Sequence, residues 1–192
     1  KDTITTITLG GRISGSDIAY LRDSLNLKAI DMSQADIVAG PGYYYNDYLT
    51  EDNIIGLRIF LGMKAKTIIL PESATEIGNY AFYQNKQLSK VVIGKNVKTI
   101  GTYVFSGCTA LERITIPASV KNIDRQAFKD CPLVCVICEG ETPATVGSKA
   151  FDSDALPTAT LVVPSEEAIA AYKAANVWKN FGNIISYDQY LT

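Results

Sequence analysis

Apolar positions recur along this chain at a fixed interval of 23 residues. Ile68, Val91, Ile114 and Ile137 fall at equal steps, as do Ile77, Ile100, Ile123 and Val146, and again Phe82, Phe105, Phe128 and Phe151. An interval of this length marks a solenoid, in which each unit is one coil that buries its apolar face only when neighbours stack on it. Within a coil the pattern alternates. Thr67-Ile-Ile-Leu-Pro71, Lys90-Val-Val-Ile-Gly94 and Arg113-Ile-Thr-Ile-Pro117 each read as a short strand with two side chains inward, such as Val91 and Ile93, and one outward between them, Val92. Pro or Gly then stops the strand. An Ile-Gly pair and the following Phe give a second inward set on the far wall, the glycine providing either a tight bend or close approach between coils. Stacked, the four Phe rings form an internal aromatic ladder, and at ~150–250 Å² buried per ring they are the main source of cohesion. Two departures stand out: Asp124 replaces the expected Gly, leaving the bend of that coil open, and one extra residue shifts the strand ending at Pro164.

The open ends of a solenoid expose unpaired strand edges and core side chains, so both need covers. At the N-terminal side, Ser16-Asp17 precedes Ile18, Leu21 and Leu25, the spacing of an amphipathic helix. At the other side, Ser165 is placed to cap a helix from Glu166 to about Ala175, with two acids in its first turn where the helix dipole favours them. Trp178 and Phe181 then seal the last coil, and Ile184-Ile185 adds a final strand. A sugar-stacking role for Trp178 is the weaker alternative, because single aromatics at a helix end usually pack inward.

The segment Leu88-x-x-Val91-x-Ile93-x-x-Asn96, echoed by Leu111-x-x-Ile114-x-Ile116-x-x-Ser119, follows the leucine-rich-repeat pattern. With its Ile-Pro, Ile-Gly and Ala-Phe landmarks and a Cys after the Phe, the coil resembles the repeats of BspA-like bacterial surface leucine-rich-repeat proteins. Gly147-Ser-Lys-Ala-Phe151, Ala159-Thr-Leu-Val-Val-Pro164 and Tyr172-Lys-Ala-Ala-Asn-Val-Trp178 look like the terminal portion of such proteins, and Leu27-Lys-Ala-Ile-Asp31 like their opening coil. The resemblance implies an exported protein of a host-dwelling bacterium, acting as an adhesin or a ligand-binding surface protein. The expected fold is a single β-rich leucine-rich-repeat solenoid, a right-handed coil with short helical caps. Its expected parts are an N-terminal cap with first coil and Tyr-rich insertion (1–62), the repeat coils (63–158) and a C-terminal cap (159–192).

Composition narrows the chemistry. Histidine is absent, which removes imidazole-activated nucleophiles, His-ligated zinc and proton shuttles poised near neutral pH. Carboxylate-pair chemistry survives, but its usual setting is a deep cleft that stacked short coils do not naturally provide. The formal net charge of -2 comes from interspersed acids and bases, which offers no footprint for nucleic acid or anionic lipid. No stretch approaches the ~20 apolar residues of a bilayer-crossing helix. No basic-then-apolar signal segment opens the chain at Lys1, so an exported form is expected to begin after a removed segment.

Four cysteines bear on possible sites. Cys108 and Cys131 occupy the same position in successive coils, where stacking at ~4.8 Å makes them neighbours; they read as free apolar fillers, although distance permits a disulfide. If Val134 and Ile137 point inward, Cys135 and Cys138 project elsewhere on an extended strand, ~10 Å apart, too far for one bridge or one zinc. Asp152 and Asp154 lack the six or more oxygens of a calcium site and read as turn formers. No cofactor and no metal is expected.

Two surfaces remain. The register turns Thr67, Ile69, Lys90, Val92, Arg113 and Thr115 outward on the strand face, which leucine-rich solenoids use for partners. The run Tyr43-Tyr44-Tyr45-Asn-Asp-Tyr48 interrupts the repeat and supplies rigid amphipathic contact area, unless its rings simply lie over the first coil. The expected function is a non-catalytic, adhesin-like binding module, secreted or at a cell surface. It recognises a host or bacterial protein or glycan through the strand face with help from the Tyr-rich loop. A structural spacer without a discrete ligand is the first alternative and a carboxylate-dependent glycosidase the second; the oligomeric state is left open.

Overall fold

The computed structural model describes residues 4–24 and 26–192. Along the chain run β1 (Thr6–Ile13), α1 (Gly15–Ser24), β2 (Ala29–Ile37), β3 (Ile54–Ile55), β4 (Thr67–Ile69), β5 (Glu76–Ile77), β6 (Lys90–Val92), β7 (Thr99–Ile100) and β8 (Arg113–Ile116). They are followed by β9 (Asn122–Ile123), β10 (Cys135–Cys138), β11 (Thr145–Val146), β12 (Thr160–Val163), α2 (Glu166–Ala174), β13 (Asn183–Ser186) and α3 (Tyr187–Tyr190). The strands pair in parallel with their counterparts one coil away, not with their neighbours in sequence, because each coil carries the chain across to the other wall before it returns. A front wall holds β1-β2-β4-β6 and, beyond a break, β8-β10-β12-β13; a back wall holds β3-β5-β7-β9-β11.

The space between the walls is the core. Phe60, Phe82, Phe105, Phe128 and Phe151 stack with centroids 5.2 Å apart at every step. The expected ladder therefore forms, with Phe60 as a fifth ring. At the corners beside it, Arg58, Tyr80, Tyr103, Gln126 and Lys149 all adopt left-handed backbone, a conformation uncommon for residues with a Cβ. Stacking offsets that cost: Tyr80 and Tyr103 lie parallel at 5.1 Å, the Arg58 guanidinium sits 5.3 Å from the Tyr80 ring, and the Tyr103 hydroxyl donates to Gln126 Oε1.

The repeating glycines serve close approach. A Cβ on Gly78 or Gly101 would meet the carbonyl oxygen of Ile55 or Ile77 in the preceding coil at 2.9 Å, and neither glycine has positive φ. Asp124 keeps the bend of its coil all the same: its N–H donates to Ile100 O at 2.8 Å, as that of Gly101 does to Ile77 O.

One register expectation fails. Val136, not Ile137, pairs with Ile114, and Cys138 pairs with Ile116. Leu133 follows Cys131 by two residues where Leu111 follows Cys108 by three, so the strand arrives one residue early, and with a period of two every side chain changes face. Val134 is exposed, Ile137 faces outward, and Val136 and Cys138 fill the core. The longer loop between Cys138 and Val146 restores the step, since Val146 pairs with Ile123 on the back wall.

Both ends are covered. Ile18 and Leu21 of α1 are buried, whereas Leu25 lies outside the described residues. The helix starts one residue before the expected Ser16, and Asp17 Oδ2 accepts from the Ser14 N–H and hydroxyl. At the far end Ser165 caps α2 by accepting from the Ala168 N–H. Trp178 packs 5.4 Å from Phe151 and donates its indole N–H to Ala144 O, so it seals the last rung as expected.

Candidate functional site

The site begins with a defect in the front wall. Between β4 and β6, Lys90 N–H donates to Lys66 O at 3.0 Å and Leu70 N–H to Val92 O at 2.9 Å. Between β8 and β10, Glu139 N–H donates to Ile116 O at 3.0 Å. Between β6 and β8 no ladder forms among the described residues, and the N–H groups of Ile93 and Arg113 are left without a protein acceptor. On the back wall the same two coils stay joined: Asp124 N–H reaches Ile100 O at 2.8 Å and Phe105 N–H reaches Ala127 O at 2.7 Å. The coils thus part at the front and close at the back. Inward side chains register the split, with Val91 and Ile93 6% and 5% exposed against 0% and 1% for Ile68 and Leu70.

A groove of 510 Å³ lies over this seam. Val92, Thr115 and Ile137 make its floor; Lys90 and Arg113 edge the side where the strands enter, and Glu72, Lys95 and Glu139 the side where they leave. A second recess of 340 Å³ shares Thr115, Ile137 and Glu139 with it and extends past Pro164 to Tyr187. The depression therefore runs across the strands, along the stack, which is the direction in which a solenoid offers extended contact.

The C-terminal residues form one border of the groove. Helix α3 is held by a capping box, in which Ser186 Oγ accepts from the Gln189 N–H and Gln189 Oε1 from the Ser186 N–H, and Ser186 Oγ also lies 2.7 Å from Glu166 Oε1. From there Tyr190 reaches back to the strand face and accepts a hydrogen bond from Arg113 Nη1 at 2.9 Å. Cys135, outward on β10, is buried in the same region. Burial pushes its thiol above the ordinary range, against the pull of the Arg113 guanidinium and the Tyr190 hydroxyl.

Of the outward residues expected on this face, Lys90, Val92, Arg113 and Thr115 come together in the groove, whereas Thr67 and Ile69 on β4 lie outside its lining. Ile137 was assigned to the core, and Glu72, Lys95, Glu139, Tyr187 and Tyr190 were not foreseen. Ile137 could have been found by aligning Leu133 with Leu111; no local signal places Tyr190 beside Arg113, from which 77 residues separate it.

The Tyr-rich loop does not join this site. It borders a different recess, of 760 Å³, together with Ile54, Glu76 and Asn79 at the first strands of the back wall, and the two share no lining residue. Tyr44 is buried, its hydroxyl donates to Leu57 O at 2.9 Å, and burial together with the nearby Glu51 carboxylate pushes its phenol up to about 12. Tyr45 lies under the Arg22 guanidinium at 5.7 Å, and Tyr43 and Tyr48 are exposed. The loop and the strand face therefore border separate recesses, with Tyr44 holding the loop against the start of the back wall.

The four cysteines are free and buried. Cys108 and Cys131 donate to Phe82 O and Phe105 O, the same bond one coil apart. Cys135 and Cys138 lie on opposite faces of β10: Cys135 points outward as expected, whereas Cys138 turns into the core, which follows from the shifted register. Asp152 Oδ1 accepts from the Asp154 N–H and closes a turn. Among the described residues, no three Asp, Glu or Cys side chains gather as a metal site, and no helix is long and apolar enough to cross a membrane.

Comparison with known proteins places this geometry. A leucine rich repeat protein of T. pallidum superposes with a TM-score of 0.58 at 19% identity, over 84% of this chain and 74% of its own, which shows a shared fold. A leucine-rich repeat protein from Bacteroides capillosus ATCC 29799 is 28% identical over 59% of this chain and 86% of its own, with a TM-score of 0.45. A leucine rich cell surface protein from Faecalibacterium prausnitzii A2-165 is 19% identical over 86% and 49%, with a TM-score of 0.39. No curated protein matches the chain. The model of the BspA type leucine rich repeat region matches residues 47–157 in 6 copies, more than half of the chain. That match spans the Phe ladder and the split front wall alike, and the protein belongs to the BspA-type leucine-rich-repeat family.

Proposed function

We propose that this chain is a non-catalytic binding module, exported and displayed at a bacterial surface, that takes a protein or glycan ligand in the front groove. One observation carries the reading: the front wall is laddered from coil to coil except where β6 and β8 part, and there an apolar floor lies open between charged edges. A surface evolved only to be solvated has no use for a gap in its own hydrogen bonding, since unpaired backbone groups cost stability. Membership of the family and the absence of histidine favour binding over catalysis. The test is an array of glycans and host matrix proteins, probed with the wild type and with a variant carrying Lys90→Ala, Val92→Ala and Arg113→Ala together. The variant is expected to lose its array partners while keeping the wild-type circular dichroism and melting temperature. Retained binding in the variant refutes the site, and an array with no partner for the wild type favours a spacer.

A further inference from the structure

We propose, resting on the groove as the binding site, that its occupant is an acidic polypeptide segment in extended conformation, and that a carboxylate of this segment takes Arg113 from Tyr190 and lifts α3 away. Three separate features of the groove carry this.

The first is the broken ladder. The groove lies over two strand edges that present main-chain N–H groups, those of Ile93 and Arg113, with no acceptor among the described residues. The carbonyls of an extended peptide crossing the groove are acceptors for such donors, met singly and not as an added strand, because β6 and β8 lie too close together for a strand to enter between them. A polysaccharide carries no such row of amide carbonyls.

The second is charge. Lys90, Lys95 and Arg113 line the groove against two carboxylates, and one of these, Glu72, already accepts the Lys95 main-chain N–H at 3.2 Å. Lys90 and Arg113 stand on the entry side with no acid in the lining beside them. The remainder of the chain is net acidic, so this edge is a local reversal of sign.

The third is the occupant already there. The Tyr190 hydroxyl is a neutral acceptor holding one guanidinium nitrogen. A carboxylate accepts two N–H groups of a guanidinium at once, in charge-assisted bonds roughly twice as strong as neutral ones, and so outcompetes a phenol for Arg113. Helix α3 is a single turn, and Tyr187, Tyr190 and Leu191 are all exposed, so little apolar burial opposes its release. Tyr190 thus acts as a gate on the groove, closed by Arg113 in the free protein.

The experiment uses the full chain and a capped peptide that alternates Glu and Val over about eight residues, long enough to cross the groove. Binding is measured by calorimetry at low salt. Opening of α3 is read from amide exchange at residues 187–191 and from the alkylation rate of the buried Cys135, beside which the Tyr190 hydroxyl lies. The Glu/Val peptide is expected to bind, to speed both signals, and to bind ~10-fold more weakly to Arg113→Gln. Tyr190→Phe, which keeps the ring and removes the acceptor, is expected to tighten binding by ~2–5-fold. The proposal is overturned if the Glu/Val peptide does not bind, if a Lys/Val peptide or an oligosaccharide of uronic acid binds as well, or if binding leaves the α3 signals unchanged. The triple variant at Lys90, Val92 and Arg113 separates the two levels. If it keeps every array partner, the groove itself is wrong; if it loses them while α3 never responds in the wild type, only the gate is wrong.

Discussion

The two coils that carry Phe105 and Phe128 meet differently on their two walls. On the back they share hydrogen bonds and rings stacked at 5.2 Å. On the front their strands form no ladder with each other, and the inward Val91 and Ile93 are slightly less covered than Ile68 and Leu70. Cohesion therefore lies on one side of these coils: the ladder holds the stack while the front, where the proposed ligand binds, is free to part. A wall that need not hold the molecule together can be spent on a partner.

The hardest way to break this contrast is to remove a central rung. Phe105→Ala is expected to cost ~3–5 kcal/mol in chemical denaturation, because the cavity lies where every neighbour is constrained by the ladder. A loss below about 1 kcal/mol would mean that the back wall is not the holding element. A titration gives an intermediate effect. Burial raises the thiols of Cys108 and Cys138 to about 12 from an ordinary value of 9. Below pH 9 both the folded and the unfolded chain keep these protons, and the full stability is present. Above it the unfolded chain releases protons that the fold retains, so stability falls as pH rises from 9 toward 12. Denaturation midpoints are expected to drop across that window, and to drop less in Cys108→Ala. The smallest effect sharpens the front: Val92→Ala is expected to shift stability by no more than ~0.5 kcal/mol. In the same protein the amides of Ile93 and Arg113 are expected to exchange faster than those of Gly101 and Asp124, their bonded counterparts across the core.

Much of this architecture was legible from spacing, because a solenoid repeats the same local problem and solves it with the same residue types. The Phe rungs, the inward pairs Val91 and Ile93, the Ser165 cap and the sealing Trp178 all lie where periodicity and capping chemistry put them. The slip at β10 was not read, since counting in steps of 23 lands on Ile137 and an aliphatic residue fits either face. Only the early arrival of Leu133 betrays the deletion. The groove was half legible: Lys90, Val92, Arg113 and Thr115 follow from alternation. The broken ladder beside them leaves no trace in residue type, and Tyr190 reaches the groove only through the return of the C-terminal cap. The Tyr-rich loop divides its rings between two roles, with Tyr43 and Tyr48 exposed and Tyr44 buried. Its composition suggests contact, yet Tyr44 is spent on anchoring the loop to Leu57.

The uniform 5.2 Å rise of the phenyl column also has a genetic corollary. Because each rung presents the same faces above and below, excising or duplicating a whole coil rejoins like with like, whereas gaining or losing a few residues must be absorbed within a loop, as happens around β10. Array length can then drift by unequal exchange between repeats, altering reach without redesigning the interior.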